Sequence, residues 1–184
     1  ERYRGGESQY HGGFGEFDVS DLRNNNPASA AWIEAGVEFG LPRNPDFNGE
    51  TTYGVGAYQL GIGRRWRTSS ASAFLRPAAA RRNLTIITGA HVCKVTFKGR
   101  VASGVEWISN GQAVSATADR EVILSAGALQ SPQLLQLSGI GPAGLLRGLG
   151  IPVIAESAEV GHNLQDHYQA RLIVRLKDRI SLND

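Results

Sequence analysis

The sequence predicts an α/β protein, and three observations carry the prediction. The run Glu121 to Ser125, with Val122, Ile123 and Leu124 in succession, reads as a strand covered on both faces. It leads through a glycine-containing loop, Ala126-Gly127-Ala128-Leu129-Gln130, into an apolar helical segment that ends at Ser138. Ahead of it lie short β-prone runs separated by turn dipeptides, the pattern of an antiparallel meander.

Residues 1–63 read as irregular, broken by Gly5-Gly6, Gly12-Gly13, Asn24-Asn25-Asn26-Pro27 and Asn48-Gly49. One helix is expected there, over about Ser29 to Phe39. Asn26 or Ser29 would cap it, Ala31, Trp32, Ala35 and Phe39 would share a face, and Gly40 would stop it. A second helical pattern runs from Trp66 to Arg82, with Thr68, Ser69 and Ser70 as capping candidates and Ala71, Phe74, Leu75 and Ala78 toward a core. Arginines crowd its last turn, where the helix dipole favours them, and Pro77 would bend or end it.

The meander is expected as strands Leu84–Thr88, His91–Phe97, Val101–Ile108 and Ala113–Thr117, with Asn110-Gly111 as a two-residue hairpin turn. After the Glu121–Ser125 strand, Ser131 suits an N-cap, Pro132 the first helical position and Gly139 the left-handed position past the end. A short helix over Ala143–Leu149 ending at Gly150, and strands Ile151–Ile154 and Arg171–Leu176, complete the reading.

Composition narrows the function classes. The 184 residues are 41% apolar and 20% charged, with 23 glycines and a formal net charge of +2. No lysine-rich patch carries interleaved aromatics, which argues against a nucleic-acid partner. The single cysteine, Cys93, excludes an internal disulfide framework and a thiolate metal cluster. No run approaches the ~18 apolar residues of a membrane helix. The location is left open, a soluble chain with the cytoplasm slightly favoured. The chain begins with Glu1 and contains no methionine, so it is expected to be a processed chain or an excerpt of a longer one.

The residues Gly127-Ala128-Leu129-Gln130-Ser131-Pro132-Gln133-Leu134-Leu135-Gln136-Leu137-Ser138-Gly139-Ile140-Gly141 carry more than topology. This stretch resembles the second signature of the glucose-methanol-choline oxidoreductases at each of its positions. Flanking segments agree in order: Tyr10-His11-Gly12 with Val19-Ser20, Phe47-Asn48-Gly49, Arg67 through Ala73-Phe74-Leu75 to Arg82-Asn83-Leu84, and Val160-Gly161-His162-Asn163-Leu164-Gln165-Asp166-His167. His162 stands where many members carry another residue. The resemblance spans nearly the whole chain.

That resemblance implies flavin adenine dinucleotide (FAD) in an α/β, Rossmann-like dinucleotide-binding domain. It implies oxidation of a small alcohol of the choline dehydrogenase-like kind, with hydride passing to the flavin and a histidine taking the hydroxyl proton. The family's GxGxxG loop and its C-terminal catalytic histidine pair are absent from this sequence. Gly54-Val55-Gly56 follows no strand and does not qualify. No catalytic residue and no metal ligand is therefore assigned, and the remainder of the same polypeptide is the expected partner. Alternatives are an inactive truncated remnant or binding fragment, and a lyase on the same flavin fold.

The resemblance places Val92 against the adenine end of the flavin through its main chain; strand-core packing explains the valine equally well. Ser125, Ala126 and Gly127 either bring backbone close to the cofactor or make a tight strand-to-loop turn. Ser131 reads as a cap, since Leu-Gln-Ser-Pro-Gln lacks a nucleophile elbow. His11 reads as a loop residue, His91 as a strand residue, His162 as exposed and His167 as structural. Tyr58 and Trp66 either line a substrate cavity or pack in a core. The resulting division is 1–83 as a substrate-side segment returning to the flavin domain, 84–160 as the centre of that domain, and 161–184 as the start of a return to the substrate side.

Overall fold

The computed structural model describes residues 1–23 and 26–177, and the chain divides into two compact units. The first comprises Glu1–Ile86 with the segment from Leu172 onward, and the second comprises Ile87–Arg171.

In the first unit, strands β1 (Arg2–Tyr3) and β2 (Asp18–Val19) pair in parallel. Helix α1 (Pro27–Glu38) follows, slightly earlier than its pattern predicts, because Asn26 Oδ1 accepts the Ala28 N–H and Pro27 needs no partner at the first position. Gly40 ends it at φ 103°. Positions 24 and 25 of the predicted asparagine break lie outside the described residues.

α1 buries none of its residues outright, and Phe39 is 84% exposed. It approaches the chain through Gly36, where a Cβ would stand 2.9 Å from Val55 Cγ2. The expected 66–82 helix is much shorter, a π-helical turn over Ala71–Leu75 running into α2 (Arg76–Ala78). Pro77 has no N–H to donate back into that turn, and the Arg76 N–H bonds to the Ala71 carbonyl with π spacing. Only Ala73 on this segment is buried; Phe74 and Leu75 face outward, contrary to expectation.

The second unit contains the meander. Strands β3 (His91–Lys98), β4 (Val101–Ser109) and β5 (Gln112–Thr117) form an antiparallel sheet in sequence order, with two register shifts: Cys93 is the extra residue on β3 between Val92 and Lys94, and Ser103 is the extra residue on β4 opposite the Thr96–Phe97 step. Asn110 (φ 50°) and Gly111 (φ 77°) make the predicted turn, both in the left-handed region that a type I′ hairpin needs. Gly104 lies mid-strand because a Cβ there would collide with the Ala116 carbonyl of β5.

Helix α3 (Gly127–Leu137) begins one turn ahead of its predicted cap. Ser131 is inside it rather than at its start. Its Oγ accepts the Ala126 N–H at 3.0 Å, so it does satisfy a donor at the helix N-terminus, from within the helix. Gly139 takes φ 87°, as expected, and the chain then forms β6 (Ile140–Gly141), α4 (Ala143–Gly148) and β7 (Ala155–Glu156), with β6 and β7 parallel.

Four predicted strands are not formed among the described residues. Leu84–Thr88, Glu121–Ser125 and Arg171–Leu176 run without a ladder partner, and Ile123, expected to be buried, is 76% exposed. A strand covered on both faces needs neighbours to pair with, and an apolar run without them stays extended and wet. Ile151–Ile154 also fails, since Pro152 cannot donate to a ladder; the pairing starts beyond it, at Ala155. Among the described residues buried apolar side chains are few: Ala73 in the first unit and Val95, Trp107, Ala143 and Leu146 in the second.

Candidate functional site

Within the second unit β3 pairs with β4, and among the described residues no strand pairs with its other edge, whose main-chain groups face away from the sheet. α3 lies along that edge. Ser138, at the helix C-terminus, donates its hydroxyl to the Leu134 carbonyl and accepts the Val95 N–H at 2.8 Å. Toward the other end the two elements part, leaving a cleft of about 500 Å3.

Val92, together with Ala90, His91 and Cys93, forms one wall of this cleft. The opposite wall is Ala126, Gln130, Gln133, Leu134 and Leu137, a set whose spacing of three and four residues places them on one face of α3. Two of the sequence-derived site residues, Val92 and Ala126, are thus brought together from positions 34 apart. Ser125 and Gly127 flank Ala126 but are exposed and do not line the cleft. Gly127 sits at φ 90° with nothing within 4 Å of where a Cβ would be, so backbone conformation, not crowding, demands glycine there.

The chemistry of the lining is selective. It offers apolar surface, the His91 imidazole, the Cys93 thiol, two side-chain amides and the main chain of a sheet edge, and no lysine or arginine. Its size falls within the ~300–1,000 Å3 of small-ligand sites. An uncharged nucleoside-like group fits such a lining; a pyrophosphate finds no countercharge in it.

A polar centre that the sequence does not announce lies in the first unit. His11 is only 7% exposed. Its Nδ1 is 2.9 Å from Glu1 Oε1 and its Nε2 is 2.8 Å from Asp46 Oδ2. With a carboxylate on each nitrogen both must donate, which is the imidazolium form. The Asp46 bond, then the Glu1 bond, raises the His11 pKa above its ordinary value, and the His11 bond lowers that of Asp46. Asp46 is held for this contact by its own turn, where Oδ1 accepts the Asn48 N–H. The His-Gly segment and the Asn-Gly turn therefore meet. His11 is no loose loop residue, but its partner is 35 positions away and no local pattern signals it.

His91, His162 and His167 are exposed. Tyr58 is 68% exposed, tilted against Phe47 at 4.8 Å, and Trp66 is 82% exposed, so neither is core.

A sheet edge and a glycine-led helix flanking a cleft of this size belong to an α/β protein with room for a small molecule. The family model described as GMC oxidoreductase matches residues 7–169, and the chain belongs to that family. FAD is the cofactor that this membership brings. The chain is 47% identical over 177 residues to an alcohol dehydrogenase [acceptor] of Pseudomonas putida, covering 94% of this chain and 32% of that protein. It is 44% identical over 179 residues to an oxygen-dependent choline dehydrogenase of Stenotrophomonas maltophilia, covering 96% of this chain and again 32% of the relative. Among solved structures, an FAD-dependent oxidoreductase from Chaetomium thermophilum aligns with a TM-score of 0.77 at 33% identity, over 82% of this chain and 26% of that one. The chain thus spans about a third of the length of the curated relatives it matches.

Proposed function

We propose that this chain is part of an FAD-dependent oxidoreductase acting on the CH–OH group of a small alcohol, with choline-like alcohols the first substrates to test. The cleft between β3 and α3 would hold the adenine end of the flavin. The observation that carries this reading is the meeting of Val92 and Ala126 across one neutral cleft of about 500 Å3. The names of the relatives, an alcohol dehydrogenase and a choline dehydrogenase, support the substrate class.

When bound, the flavin supplies the redox step by accepting hydride from the alcohol carbon. The work of this chain's residues is binding. The β3 edge offers main-chain donors and acceptors at Val92, which read a planar base without adding charge. Leu134 and Leu137 exclude water from one side, and the Gln130 and Gln133 amides offer hydrogen bonds on the same face. Gly127 lets the backbone turn into α3 where a side chain would be strained. Ser125 and Ala126 would act through their main chain.

The test is flavin content. In the full-length protein, Val92→Arg places a cation and a long side chain in the cleft and should lower the ratio of bound flavin to protein about tenfold or more. Val92→Ile should leave that ratio unchanged. Full flavin occupancy in the arginine variant would reject the site. Absence of dye-linked or oxygen-linked oxidation across a panel of primary alcohols, with flavin bound, would reject the activity while leaving the site standing.

A further inference from the structure

The first unit contains a concave surface of about 550 Å3 whose composition differs sharply from the flavin cleft. Arg2, Arg64, Arg65, Arg67 and Arg76 line it, and Trp66 contributes an indole that is 82% exposed. Two carboxylates also line it, Glu16 and Asp18. Asp18 is already engaged: its Oδ1 is 2.9 Å from Arg2 Nε and 3.4 Å from Arg4 Nη2. Arg2, as the principal cause, holds the Asp18 carboxyl below the usual carboxylate range. Among the described residues, no ion pair engages Arg64, Arg65, Arg67 or Arg76.

These guanidiniums are not scattered over a random coil. Arg64 and Arg65 form the tip of a tight reversal in which the Gly63 N–H bonds to the Trp66 carbonyl, Ile62 pairs with Arg67, and the Thr68 N–H bonds to the Gly61 carbonyl. Arg23 Nη1 donates to the Arg64 carbonyl at 2.7 Å and fixes the tip from outside the cleft. Arg76 enters from α2 and Arg2 from β1, so three separate segments converge. Five guanidiniums face two carboxylates in this lining, so it carries an excess of positive charge that Glu16 and Asp18 offset only in part and that an anion in the cleft would offset further. A guanidinium presents a planar fork that matches two oxygens of a phosphate, and the indole face suits an organic ring or a guanidinium.

We propose that this arginine-lined cleft binds a small phosphate-bearing anion, with Arg64, Arg67 and Arg76 as its principal contacts. The ligand class is an organic phosphate or pyrophosphate, since four unengaged cations call for more than one negative charge and a phosphate monoester carries about −1.5 to −2 near neutral pH. The proposal is independent of the flavin reading, because none of the cleft's residues lines the space between β3 and α3.

The test uses the flavin-loaded full-length protein and inorganic pyrophosphate, followed by isothermal titration at low ionic strength, with chloride at matched ionic strength as the control. One saturable site is expected, weakened about tenfold or more in the Arg64→Gln/Arg67→Gln double variant, whose side chains are exposed and make no ion pair among the described residues. Arg67→Lys should retain part of the affinity, and Arg147→Gln, on α4, should retain all of it. Equal binding by the double variant, an equal response to chloride, or no binding to the loaded protein would each overturn the proposal. Bound flavin, read in the same samples by absorbance, should not change.

Discussion

At the scale of single residues, two side chains hold more structure than their size suggests. Ser138 closes the end of the cleft by pairing with Val95 and Leu134 at once. Val95 is buried, so Ser138→Ala strands a buried N–H and should cost about 1–3 kcal/mol, measured as a lower denaturation midpoint. Ser138→Thr, which keeps the hydroxyl, should recover part of that loss. His11 makes the first unit sensitive to pH. Its folded pKa is raised by Asp46 and Glu1, so its contribution is fully present below the unfolded value of about 6.5 and fades as pH rises through the folded one. Asp46 works in the opposite sense: its lowered pKa gives stability that is present above the ordinary carboxylate range and lost as pH falls through the folded value. Stability should therefore decline on going from about pH 6.5 upward, and His11→Gln should flatten that slope in denaturation curves collected across the range.

At the scale of elements, what the sequence made legible was local. The meander, its Asn110-Gly111 turn, α1, α4 and the Gly139 stop all follow from propensities and turn chemistry within a few residues. The strands that did not form needed partners beyond any local window. Val122, Ile123 and Leu124 have the right side chains for a covered strand, yet a ladder depends on a second segment. The candidate site was legible only in part. Val92 and Ala126 could be picked out, but that they face one another follows only from how α3 lies along β3. The arginine cleft and the His11 pairing were not legible, because each joins segments tens of residues apart. Two glycines show how strictly the elements are set. Gly139→Ala meets both φ 87° and the Pro152 carbonyl, and should destabilise the second unit by at least the ~1–2 kcal/mol of a left-handed residue. Gly104→Val would press against the β5 backbone and should expose the amides of Gln112–Thr117 to hydrogen exchange. Protected β5 amides in that variant would show the sheet more tolerant than its geometry implies.

At the scale of the whole molecule, much apolar surface stays wet in each unit. Phe14, Phe39, Trp66 and Ile173 are each more than four-fifths exposed, and among the described residues only five apolar side chains are buried. Expressed alone, these 184 residues should retain little flavin and melt without a sharp cooperative transition, readable from absorbance and calorimetry. A yellow chain with a single steep melt would contradict both expectations. The β3–β4–β5 meander is the exception to this dependence. Its strands pair with their sequence neighbours through turns of two residues, so closing it costs little chain entropy and takes microseconds rather than seconds. During synthesis it can assemble while most later contacts are still unmade. The outer edge of β3 would then be offered early, as a template on which α3 condenses as soon as it emerges.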